Sequence, residues 1–281
     1  MLVTVKYIDV NVQKSIEAAI LKDFSDYCVK NGLRYYLYAG TLLRAVRHQG
    51  FIPWDDDIDV VMPRPDYEKF YTQVQKSKIA PHLDIETYRI SEHSICPFIK
   101  LVDNRTDGHE QNLPSSFHTA VWIDIFPLDG VPDRKSEQRH LIKKQKHLIK
   151  LLDLCTRQYI PCKDLLRHMK RYMIWKVFGR INYKDIDKQL ELNSLKYDYD
   201  SSRYIGNTVY CDGMNEIITK QEFEIPVQLE FEGYQFNAPK NYDQYLTNLY
   251  GNYMKYPPLK ERVRRHDYIC WWKKDSEGKN A

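Results

Sequence analysis

The sequence predicts a mixed α/β fold, on three observations. An apolar run that ends in glycine leads into a segment of helical spacing and then into a second apolar run opened by carboxylates, all within residues 32–62. Two later stretches, Phe98-Ile-Lys-Leu-Val102 and Val121-Trp-Ile-Asp-Ile-Phe126, alternate along the chain as strands do. Between residues 134 and 180, apolar side chains recur at helical spacing among many cations.

Taken in order, Gly32 to Gly40 reads as a strand and Thr41 to His48 as a short helix with Leu42, Leu43 and Val46 on one face. A helix opening at Gly40-Thr41 offers unpaired N–H groups and the positive end of its dipole, which suits a phosphate. Arg47 and His48 are expected to add positive charge there. The next stretch, Phe51-Ile-Pro-Trp-Asp-Asp-Asp-Ile-Asp-Val-Val-Met62, crowds four carboxylates into five positions and then turns apolar. A strand over Asp57–Met62 would project Asp57 and Asp59 together and send Ile58 and Val60 into a core. Two carboxylates so placed can share a divalent ion. Asp55 would join them only if the strand began earlier, and Pro53 and Trp54 suggest a turn that Asp55 caps or positions.

Two rival readings of this cluster are weaker. An EF-hand loop opening at Asp55 would need glycine where Val60 stands and glutamate where Asp66 stands. A solvated acidic turn leaves Trp54 and the interleaved Ile58, Val60, Val61 and Met62 unexplained. On the later strands, Asp124 shares a face with Trp122 and Phe126, away from Val121, Ile123 and Ile125. Such a carboxylate is a metal ligand, a general base, or a structural group capping a turn. Lys100, opposite in face to Ile99 and Leu101, either neutralises a donor phosphate or is an ordinary strand-surface lysine.

At 281 residues the chain suffices for one large domain or two small ones. The segment Arg134–Arg180 holds 14 Lys and Arg against Glu137, Asp153 and Asp164. It reads as two amphipathic basic helices, either a solvated face over an ordinary core or a surface for an anionic membrane. The expected division is a catalytic core over 1–133, a basic helical insertion over 134–200, and a segment over 201–281 that packs back on the core. The six cysteines are scattered, and neither a signal-peptide pattern nor a run of about 20 apolar residues occurs. A cytoplasmic setting is expected, with peripheral contact at the inner face of the membrane. Nucleic acid is not an expected partner, since zinc-finger, RRM and KH signatures are absent.

The run from Gly40 to Arg64 closely resembles the signature of the LicD family. Further resemblance lies in Lys100-Leu-Val-Asp-Asn-Arg-Thr106, in Trp122-Ile-Asp-Ile-Phe-Pro-Leu-Asp-Gly130, and near the C-terminus in Tyr245-Leu, Tyr250-Gly-Asn-Tyr-Met254, Pro257-Pro258 and Arg262 to His266. The resemblance implies a nucleotidyltransferase-like mixed sheet and transfer of phosphocholine from CDP-choline to a sugar hydroxyl, with release of CMP. The implied acceptor is a glycan precursor, free or lipid-linked, of teichoic acid or lipopolysaccharide type. It further implies magnesium or manganese at Asp57, Asp59 and Asp124, and donor phosphates near Gly40, Thr41, Arg47 and Lys100. Asp55, His48 and His266 are additional candidates. One departure is Arg44, where the family pattern has glycine. Alternative readings are transfer of ribitol phosphate or a nucleotidyl group, and a non-catalytic choline- or nucleotide-binding module.

Overall fold

The first helix, α1 (Val10–Lys30), places Ile16, Ile20, Phe24 and Cys28 one turn apart on a buried stripe, and Asp9 caps its start by accepting from the Asn11 N–H. This helix lies across the middle strands of the sheet in a computed structural model that describes residues 6–91, 94–111, 113–114, 116–161, 164–263 and 268–273. The expected strand over 32–40 contracts to β1 (Tyr36–Leu37), because α1 runs to Lys30 and α2 (Ala39–His48) begins directly after it. Then follow β2 (Asp59–Pro63), α3 (Arg64–Lys76), β3 (Leu83–Glu86), β4 (Ile99–Asp103), β5 (Thr106–Glu110) and the long β6 (Val121–Val131).

The sheet runs β1-β2-β6-β4-β3, with β2 and β6 parallel and the other neighbours antiparallel. Ile99, Leu101, Ile123 and Ile125 are buried in the core that α1 covers, as their alternation predicts. At its far end β6 pairs with β7 (Tyr204–Gly206), which pairs with β8 (Ile218–Thr219). The chain beyond residue 200 therefore extends the sheet. It continues through the short α7 (Lys220–Phe223), the hairpin of β9 (Pro226–Phe231) and β10 (Tyr234–Pro239), and α8 (Tyr242–Tyr250), and ends with β11 (Tyr268–Trp272) paired to β5.

Residues 135–194 form three helices: α4 (Lys135–Thr156), α5 (Leu165–Phe178) and α6 (Tyr183–Ser194). The first and third pack on each other around Leu152, Ile186 and Leu190, a small core separate from the main one. Fully buried Gln145 ties them to the sheet side of the molecule, donating to the carbonyls of Leu190 and Thr208. The middle helix, α5, buries no residue.

Candidate active site

Strand register brings three of the expected residues together. Asp59 stands opposite Asp124 across the parallel β2–β6 pair, and Lys100 stands opposite Asp124 across the antiparallel β6–β4 pair. Side chains of directly opposed residues share a face, so two carboxylates and an ammonium form one row across three strands. The Lys100 ammonium lies 3.8 Å from Asp124 Oδ1 and 3.6 Å above the Trp122 ring. Burial acts to lower its pKa, but the neighbouring negative charges together, Asp124 first and then Cys96, Glu110 and Glu86, more than offset this and leave it raised. Burial, then the charges of Asp57 and Asp124, push the Asp59 carboxyl well above the ordinary range.

The row forms part of the wall of a cavity of about 1040 Å³. Among the described residues of the wall, eight carboxylates (Asp57, Asp59, Glu86, Glu110, Asp124, Asp153, Asp212 and Glu216) outnumber three fixed cations, Lys100, Arg157 and Arg171. An acid-lined cavity accepts a polyphosphate only with further positive charge. A hard divalent cation on oxygen ligands meets that need, and magnesium uses one or two carboxylates plus phosphates and water. Among the described residues, no group of three or more His, Cys, Asp or Glu side chains forms a ready-made metal cage. Asp59 and Asp124, opposed across β2 and β6, are the pair that could contribute to an open metal site.

The strand expected over Asp57–Met62 begins two residues later. Asp55 N–H closes a turn onto the Ile52 carbonyl, so the chain reaches the sheet ladder only at Asp59. Asp57 lines the cavity but is held by Arg44, whose guanidinium donates to its side chain and to its backbone carbonyl. The same guanidinium lies 2.5 Å from Asp55, so Asp55 positions the loop and is not in the cavity wall. Arg44 is 1% exposed, and the Asp57 and Asp55 charges outweigh its burial and keep it ionised. Its side chain curls under Gly40, where a Cβ would stand 3.2 Å from the guanidinium. The departure at position 44 thus installs an internal counter-charge for the acidic loop.

The start of α2 meets the cavity through Tyr38 and Ala39, and Ala39 sits at φ 41°, a region that favours glycine. Thr41 is buried, and its hydroxyl accepts from the Asp59 N–H, which anchors β2 instead of presenting the hydroxyl to a ligand. Arg47 and His48, expected to add positive charge at the start of α2, are not in the cavity wall. They lie in the last turn of α2, about 1.5 Å farther along the axis per residue. There Arg47 donates to the Tyr253 carbonyl, and both pack on Tyr256 beside Trp54 and Arg262. His266 lies outside the described residues.

Several lining residues escape the sequence reading. Glu216, from a short turn after β7, accepts from the Tyr38 hydroxyl at 2.7 Å and from the Asp212 N–H, and burial raises its carboxyl to about 7. Tyr210 lines the same wall, its hydroxyl pushed up to about 12 by burial. Arg171 and Trp175 come from α5, and Tyr250 from the end of α8. Only Tyr250 lies in a motif, Tyr250-Gly-Asn-Tyr-Met254; the others stand on segments without local periodicity or spacing that points to a site.

The model of the LicD/FKTN/FKRP nucleotidyltransferase domain matches residues 32–151, from the approach to β1 through most of α4. The lipopolysaccharide cholinephosphotransferase LicD of Haemophilus influenzae is 30% identical over 264 residues, covering 93% of this chain and 97% of that protein. Uncharacterized proteins of Rickettsia typhi and Rickettsia prowazekii share 37% and 35% identity over 76 and 80 residues, about a quarter of each chain. Similarity to the Haemophilus protein runs through the core, the inserted helices and the returning C-terminal strands alike, and on that ground the chain belongs to the LicD family.

Proposed function

We propose that this protein transfers phosphocholine from CDP-choline to a sugar hydroxyl of a cell-surface glycan precursor, of lipopolysaccharide or teichoic acid type. The observation that carries the reading is the in-register row Asp59–Asp124–Lys100 in an acid-lined cavity. It is supported by end-to-end similarity to a cholinephosphotransferase. Asp59 and Asp124 would hold a magnesium or manganese ion, with Asp57 beside them held by the Arg44 guanidinium. When bound, that ion supplies charge neutralisation on the donor diphosphate. Lys100 and the N–H groups at the start of α2, around Gly40, steady the phosphates.

The acceptor oxygen attacks the choline-bearing phosphorus, and the bond from that phosphorus to the bridging oxygen breaks. CMP leaves with the bridging oxygen, and the hydroxyl proton passes to a carboxylate, Asp124 being best placed. A quaternary ammonium has no hydrogen-bond donor, so aromatic faces must hold it. Trp122, Tyr210 and Tyr250 line the same cavity as the carboxylates.

The test is CMP release from CDP-choline with a divalent ion and a glycan or lipid-linked acceptor extract. We expect acceptor-dependent CMP that EDTA abolishes and that Asp59→Asn lowers by at least about a thousandfold, a loss in the range of one essential catalytic group. Because Asp59 sits among like charges, the metal-free variant should unfold no earlier than the parent. CMP from CDP-ribitol alone, or pyrophosphate from CTP alone, would refute phosphocholine as the group transferred.

A further inference from the structure

The inserted helix α5 is turned the wrong way for an ordinary amphipathic helix. Its half-buried residues, His168, Ile174 and Phe178, mark the side that meets the protein. Positions 165, 166, 169, 173 and 177 fall on the opposite side of a 3.6-residue spiral. They are Leu165, Leu166, Met169, Met173 and Val177, between 53% and 80% exposed. No α5 residue belongs to either hydrophobic core. Its neighbour α4 behaves normally, burying Leu141, Ile142 and Leu152 and leaving its lysines in water. Of the two basic helices expected from sequence, one is thus a solvated face over a core and the other carries an apolar stripe that no described residue covers.

Lys170 and Lys176 flank that stripe, with Arg167, Arg171 and Arg180 on the same helix or just beyond it. A symmetric pairing of two copies through this face would set cations against cations. An anionic lipid surface complements both features, taking apolar side chains below the headgroups and cations among them. None of the described helices is long and apolar enough to cross a membrane, so contact through α5 would be in the plane of the surface. The inward side of α5 contributes Arg171 and Trp175 to the cavity wall.

We propose that α5 docks the protein on an anionic bilayer through Leu166, Met169 and Met173, and that docking sets the cavity beside the membrane surface, where a lipid-linked acceptor presents its sugar. The binding part of this inference is independent of phosphocholine transfer, and only the role of the acceptor rests on that reading.

The test is co-sedimentation of the full chain with vesicles of phosphatidylcholine alone and of phosphatidylcholine with phosphatidylglycerol. Binding should need the anionic lipid, weaken with added salt, and fall about tenfold or more in Leu166→Ser/Met173→Ser, since little else anchors the helix. These side chains are exposed and outside the cavity, so the unfolding midpoint and turnover of a soluble acceptor should not change. A charge variant, Lys170→Glu/Lys176→Glu, should lose the anionic preference. Equal binding to both vesicles, or unaltered binding by both variants, would overturn the proposal. So would self-association of the parent that the Leu166→Ser/Met173→Ser variant abolishes, since the face would then belong to a second copy.

Discussion

Two buried charges illustrate opposite solutions at the residue scale. Arg44 is enclosed yet has Asp55 and Asp57 on its guanidinium, so its charge is matched where it stands. Asp187, on α6, is fully buried, and neither carboxylate oxygen has a hydrogen-bond partner among the described residues. Burial alone raises its carboxyl to about 8. A carboxyl whose folded value lies above its unfolded value of about 4 binds more protons folded than unfolded between the two. Stability is therefore highest below about pH 4 for this group and falls by up to about 1.4 kcal/mol per unit as pH rises toward 8. Asp187→Asn should remove that slope. Urea midpoints at about pH 5 and about pH 8 should lie closer together in the variant than in the parent, and equal spacing would show that the group does not titrate abnormally.

At the scale of the element, β6 separates chemistry from architecture along one strand. Its first half carries Asp124 into the cavity, and its second half carries Asp129 into the interior, 1% exposed. There Asp129 accepts from Arg64 Nε at 2.6 Å and Nη2 at 3.0 Å, and from the Thr208 hydroxyl. The pair joins α3 to the sheet, and Arg64 reaches on toward Glu191 of α6. Both residues lie in the segments whose pattern resembles the family signature, so part of that signature is a buried ion pair and not catalytic equipment. Asp129→Asn should cost about 3 kcal/mol, because it leaves a buried guanidinium short of its main partner. Denaturant titration should register that loss while the KM for donor stays near the parent value. A fall in turnover without loss of stability would place Asp129 in the chemistry.

For the whole molecule, the division into core, insertion and returning segment does not correspond to three independent cores. Phe223, Phe231, Phe236, Tyr245 and Leu246 from the returning segment share one cluster with Leu37, Val60 and Ile125. Gln145 and the Arg64–Glu191 contact bind the helices to the same body. Calorimetry should accordingly show one cooperative transition, and a separate early transition would mean that residues 135–194 unfold on their own. The strands at 98–102 and 121–126, the helix at 41–48 and the acidic loop were legible in sequence because side-chain period and local turn chemistry act over a few residues. So was the membership of Asp59, Asp124 and Lys100 in the rows of their strands that face away from Ile58, Val60, Ile99, Leu101, Ile123 and Ile125. Their register, the capture of Asp57 by Arg44, the packing of Arg47 and His48 on Tyr256, and the outward turn of α5 were not. Each depends on which surfaces from distant parts of the chain compete for burial, and that competition is settled only when the strands pair and the helices pack.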